Sequence, residues 1–290
     1  MQNIHYFKEN PPKSWWRPIV ATFLVFALCG GVGSIPISIL ISIFTKESLS
    51  QVTENSISGE LGSLFGFGIA LIGIIYWNKR MNKRPIASLG FTQENVFSQY
   101  ALGFLIGASS LAFLAVVTML LGSIHFKLNP YMNFGLILLL LLGFIIQGLT
   151  EEVLCRGYLQ GSLSALMDEK WAIIISAVFF AVLHGANPGI QVLPLINLFI
   201  FGLVFSLLYA YSENILFVGA IHSAWNFFQG PFFGVQVSGT ESITSVLKAS
   251  IPQANFINGG SFGIEGILLT TVFGIFCCVL LSQLILKKRK

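Results

Sequence analysis

Long apolar stretches broken by short polar segments set the pattern of this chain. Eight stretches qualify as candidate membrane spans, at about 18–44, 61–77, 100–123, 134–150, 171–186, 193–211, 214–229 and 263–286. Several approach or exceed the ~20 apolar residues that carry a helix across a bilayer. The pattern predicts an all-α fold, a polytopic transmembrane bundle of about eight helices. In the first stretch Gly30, Gly31, Gly33 and Pro36 would open or kink a helix, which neighbouring helices can tolerate by re-satisfying its backbone. That stretch is too long for a signal-peptide core, and a polar arm with Trp15 and Trp16 at interface depth precedes it.

Composition agrees with the pattern. Hydrophobic residues make up 54% of the 290 and charged ones only 10%, against about 25% charged in a soluble domain. The mean hydropathy is +0.80. Neither a long linker nor an internal repeat divides the chain, so residues 1–290 read as a single membrane domain. The net charge of +4 comes from basic residues at span ends, which suits anionic lipid better than nucleic acid.

Threading eight spans with both termini inside leaves Lys8, Lys13, Arg17, Lys79, Arg80, Lys83, Arg84, Arg156, Lys170 and the tail Lys287, Lys288, Arg289 and Lys290 on the inner side. Only Lys46, Lys127 and Lys248 fall outside. This bias predicts a multi-pass cell-membrane protein with cytoplasmic N- and C-termini. Cys29, Cys155, Cys277 and Cys278 lie in or beside apolar segments without metal-type spacing, and read as packing residues.

Charge at membrane depth is costly unless it is paired and used. Glu151, Glu152 and Arg156 close the apolar run Phe134–Leu149, and His184 and His222 sit in two other apolar segments. Residues four apart share a helix face, so Glu152 can pair with Arg156 while Glu151, turned by roughly 100°, is left to a different environment. Such a carboxylate is a candidate general base. An ordinary ion pair at a helix end is the plain alternative. His184 ends the segment Phe180–His184 just before a Gly-Pro turn, where packing histidines are common. His222 and Asn226 lie one turn apart and can address one ligand, or they can join helices by hydrogen bonds.

The order Glu-Glu-x-x-x-Arg, Phe-x-x-x-His, His-x-x-x-Asn on successive spans resembles the CPBP family of intramembrane proteases, which includes the type II CaaX prenyl proteases and bacterial Abi-type proteins. The similarity covers about residues 100–229, and the segment Arg84–Phe91 resembles the linker that precedes this core. The resemblance implies a polar cavity within the membrane, open towards the cytoplasmic side, and hydrolysis of a peptide bond in a membrane-associated or C-terminally lipidated substrate. In this reading Glu151 activates a water together with His184, His222 and Asn226 donate to the developing oxyanion, and Glu152 and Arg156 fix the helix and its charge.

A second version places zinc or another divalent metal on His184 and His222, with Glu151 as ligand or base. No His-Glu-x-x-His is present. The rival classes are a proton-linked transporter and an idle scaffold that regulates a partner such as a sensor kinase or peptide exporter. The absence of paired broken segments in the two halves tells against transport.

Overall fold

The computed structural model describes residues 3–53, 55–91, 95–253 and 255–289. Of the basic tail, Lys290 lies outside the described residues. Nine helices account for most of the described chain. They are α1 (Ile4–Glu9), α2 (Trp16–Thr45), α3 (Ile57–Met81), α4 (Val96–Leu120), α5 (Phe134–Ser164), α6 (Glu169–Leu183), α7 (Val192–Ser212), α8 (Ile215–Phe227, extended by a wide turn Phe228–Phe232) and α9 (Leu268–Lys288). Every predicted span is helical. By length and hydropathy, α2, α3, α4, α5, α7 and α9 can cross a membrane, and the protein is a multi-pass membrane protein.

The helices of the other two predicted spans are shorter than that. α6 has 15 residues and the regular part of α8 has 13, or about 22 and 20 Å at 1.5 Å per residue, against ~30 Å of hydrocarbon. Both starts are fixed by side-chain caps, Asp168 accepting from the Lys170 amide and Asn214 from the amides of Leu216 and Phe217. Such caps satisfy amides that a first turn cannot. The last predicted span starts late: residues 260–266 form two tight turns, and the helix begins at Leu268.

Contacts sort the loops into two ends of the bundle. At one end, which holds both termini, Lys288 donates to the Tyr211 carbonyl and Arg289 pairs with Glu169. At that end too, Arg84 donates to the Asn10 carbonyl at 2.6 and 2.9 Å and to Ser162 at 3.0 Å, under the ring of Phe7. Burial lowers the Arg84 guanidinium to about 10, with Tyr158 opposing, so it stays charged at neutral pH. At the distal end, strands β1 (His125–Leu128) and β2 (Leu247–Ser250) pair antiparallel, His125 opposite Ser250. There the Ile243 amide donates to Glu60 on the first turn of α3.

At the centre α8 packs between α4 and α5, while α7 packs on α6 and α9. The α5–α8 approach needs a glycine: a Cβ at Gly148 would stand 2.6 Å from the backbone nitrogen of Ser223. That closeness sets the next residues of α5 against His222. Arg156, counted in the threading with the basic residues of the inner side, is fully buried in α5, because this helix runs 31 residues and ends only at Ser164.

Candidate functional site

Glu152 and Arg156 form the inner layer of the site, both 0% exposed. Their one-turn spacing is realised as a 2.9 Å ion pair, and the guanidinium also donates to the Gly202 carbonyl at 3.1 Å. It lies over the rings of Phe180 and Phe205, at 4.6 and 5.4 Å from their centres. The same Glu152 oxygen takes a second bond, from Nδ1 of His222 at 2.8 Å, and Phe205 stacks on that imidazole. A carboxylate only accepts, so Nδ1 of His222 carries the hydrogen. Glu152 Oε2 and Arg156 Nε have no hydrogen-bond partner among the described residues, yet they belong to two opposite charges in contact.

In front of this layer is a chamber of about 220 Å³ whose wall includes Glu151, His184, His222 and Asn226, from α5, the end of α6, and α8. Four of the six predicted site residues thus meet in one cavity, while Glu152 and Arg156 stand behind its wall. Glu151 is 6% exposed. Its Oε1 accepts from Gln147 at 3.0 Å, whereas Oε2 has no hydrogen bond and lies 3.8 Å from Nε2 of His222. Gln147, having turned its amide nitrogen to the carboxylate, receives Asn226 Nδ2 on its oxygen at 3.0 Å. The polarity of this chain follows from Glu151 outwards, and it leaves Asn226 Oδ1 without a partner. On the opposite wall Nδ1 of His184 bonds the Phe180 carbonyl at 2.9 Å. A carbonyl cannot donate, so Nε2 is the free nitrogen of a neutral His184.

Glu151 lies 17 residues from the distal start of α5 and 13 from its other end, about 25 and 20 Å along the helix. Immediately after the glutamates, residues Val153–Gln160 relax into π-helical turns, a distortion often found at functional sites. The chamber wall also holds Asn187, Val237, Ser238, Thr240 and Glu265 from distal segments, and none of its residues comes from a loop at the terminal end. The chamber therefore lies towards the distal end of the bundle. Because α6 and α8 start at that end and stop short, their last turns leave a space that distal loops enclose.

Three residues that the motif reading omitted belong to the site. Gln147 interrupts the apolar run one turn before Glu151, a signal present in the sequence. Glu265 is a lone carboxylate inside a predicted span, which is also a signal. Its Oε2 accepts from the amide and hydroxyl of Ser238, at 2.7 and 2.6 Å. Burial pushes this carboxyl up, against the Ser238 hydroxyl and the charges of His184 and His222, which pull it down. Ser238 is set by long-range folding alone.

A metal fits the donor set poorly. Among the described residues no three His, Cys, Asp or Glu side chains come close enough together to hold an ion. Nδ1 of His184 and Nδ1 of His222 are each committed to a protein oxygen, which leaves only Nε2 of each ring open, and no step below runs through a metal.

Residues 133–228 match the family model described as type II CAAX prenyl endopeptidase Rce1-like. The matched segment contains Glu151, Glu152, Arg156, His184, His222 and Asn226, and ends before Ser238 and Glu265. Over this segment the chain is therefore similar to the Rce1-like domain of type II CAAX prenyl endopeptidases, in agreement with the resemblance of its motif order. No curated protein and no solved structure matches the chain.

Proposed function

We propose that the protein is an intramembrane endopeptidase in which Glu151 activates a water against a peptide bond of a membrane-associated substrate. One observation carries this reading. Of two adjacent glutamates, one is spent on Arg156 and His222 behind the wall, and the other faces the chamber with an open oxygen. Gln147 holds Glu151 in place, so little reorganisation precedes proton transfer.

A water on Oε2 gives its proton to Glu151, and its oxygen adds to the scissile carbonyl. The oxyanion then collapses, and the departing amine takes that proton back from Glu151, directly or relayed through Nε2 of His184, so that one water is consumed per bond broken. Asn226 donates to the oxyanion through its second amide hydrogen. His222 joins it only as the doubly protonated ring, because Nδ1–H is engaged by Glu152. Glu152 and Arg156 act as positioning residues for that ring.

The basic residues at the terminal end support cytoplasmic termini, and the substrate then meets the chamber from the far half of the membrane. The whole chain would serve as one membrane domain, with its catalytic core at about 100–229. Comparing the peptides of membranes that hold wild type or Glu151→Ala tests the reading. Uncleaved precursors should accumulate with the variant. Identical peptide sets at equal protein abundance would remove the protease reading and leave a scaffold.

A further inference from the structure

The groups left open in the chamber are of one kind. Glu151 Oε2 and Asn226 Oδ1 are buried acceptors without partners. Nε2 of His184 is an acceptor as well while that ring is neutral, whereas Nε2 of His222 lies 3.8 Å from Glu151 Oε2. Glu265 adds a second carboxylate, and among the described residues no hydrogen bond reaches its Oε1. The wall contains no lysine or arginine, and Arg156, behind it, is turned to Glu152 and Gly202. Two carboxylates and several acceptors thus face a space lined by no lysine or arginine, in which His222 is already shared between Glu151 and Glu152.

Glu265 is also held in place. Ser238 bonds its Oε2 twice, Asn197 donates to the backbone carbonyls of Glu265 and Ile267 at 2.7 and 2.9 Å, and Thr271 in turn donates to Asn197. A carboxylate fixed at both backbone and side chain, with one oxygen left towards a cavity, is prepared for a charged donor.

We propose that Glu265 is a specificity-determining residue, the counter-charge for a lysine or arginine side chain next to the scissile bond of the substrate peptide. The inference rests on the protease reading and narrows its substrate class. A free terminal carboxylate, as on a CaaX-type peptide, would enter this chamber against two like charges with no lysine or arginine to meet it, whereas an ammonium or guanidinium supplies a positive charge for Glu265.

The test uses purified full-length protein in lipid nanodiscs with two probes. The first is a set of amidated peptides carrying arginine, citrulline or glutamate at each position in turn. Arginine should exceed citrulline in kcat/KM by at least about tenfold at one position near the cut, mainly through KM, since a charged hydrogen bond is at stake. In Glu265→Gln that ratio should fall to near one, and in Glu265→Arg the glutamate peptide should become the better substrate. The second probe, arginine amide, needs no catalysis: it should raise the thermal midpoint of wild type but not of Glu265→Gln.

Cleavage without an arginine preference, or with a preference that Glu265→Gln leaves intact, overturns the inference and spares the protease reading. Arginine amide binding lost in Glu265→Gln, with no peptide cleaved, upholds the cation site and removes the protease reading. If the protein neither cleaves nor binds, both fall.

Discussion

The layer around Glu152 and the chamber around Glu151 use the same chemistry on adjacent residues of one helix. Behind the wall a carboxylate meets a guanidinium and an imidazole, and aromatic rings cover what remains. In the chamber a carboxylate meets one neutral amide and lies 3.8 Å from the His222 ring, with one oxygen free of hydrogen bonds. Removing one partner of a buried pair leaves an uncompensated charge, so the first arrangement is a framework that tolerates little change. The second is stable because Gln147 and Asn226 support it, and it has capacity left for a reactant. The difference teaches that sequence proximity does not assign a role here: a rotation of roughly 100° between neighbouring helix positions does.

Glu151→Gln breaks the comparison most sharply. It should lower peptide hydrolysis by about 10²–10⁴-fold, the usual worth of a general base, while thermal midpoint and membrane abundance stay near wild type. Arg156→Ala should act in the opposite sense. It leaves Glu152 buried beside His222 without its cation, at a cost of about 3–5 kcal/mol, so abundance and thermal midpoint should both drop. Arg156→Lys sharpens the point, because a lysine keeps the charge but loses the planar fork that reaches both Glu152 and Gly202. It should recover part of the stability, and a full recovery would show that charge alone holds the layer.

Gly148→Ala strikes the approach that brings the two layers together. Its new methyl must displace α8 at Ser223, with a loss of about 1–3 kcal/mol and weakened activity through the position of His222, read as a fall in kcat at nearly constant KM. The smallest effect belongs to the exposed pair at the terminal end. Arg289→Ala should change the thermal midpoint by the equivalent of about 1 kcal/mol or less, and a larger loss would mean that this end contributes more than surface pairs usually do.

The sequence disclosed what depends on local spacing. Eight helical segments and the Glu152–Arg156 pair one turn apart follow from periodicity and from the cost of charge in apolar surroundings, whereas the meeting of His184, His222 and Asn226 in one cavity was implied by the family resemblance alone. The second bond of Glu152, to His222, lies 70 positions away in the chain and depends on a glycine contact between helices, so no periodicity carries it. Threading assumed that every apolar stretch crosses the membrane, and this hid the shortness of α6 and α8 and counted Arg156 with the basic residues outside the spans. Gln147 and Glu265 were visible as polar interruptions, but only the fold shows that they face the same cavity as Glu151.

The brevity of α6 and α8 also bears on the lipid around them. Where these helices stop, the remaining bilayer depth is taken up by tight turns and loop backbone, with Asn187 bonded to Ser238 and Asn197 to Glu265 and Ile267. Irregular backbone at that depth is tolerated only when protein or trapped water satisfies it. The distal loops therefore act as a substitute for missing hydrocarbon-facing helix, and this sector has less apolar height than the rest of the bundle. A thinner bilayer matches such a sector better than a thick one, which makes membrane thickness, set by acyl-chain length, a physical variable for how well the chamber stays closed.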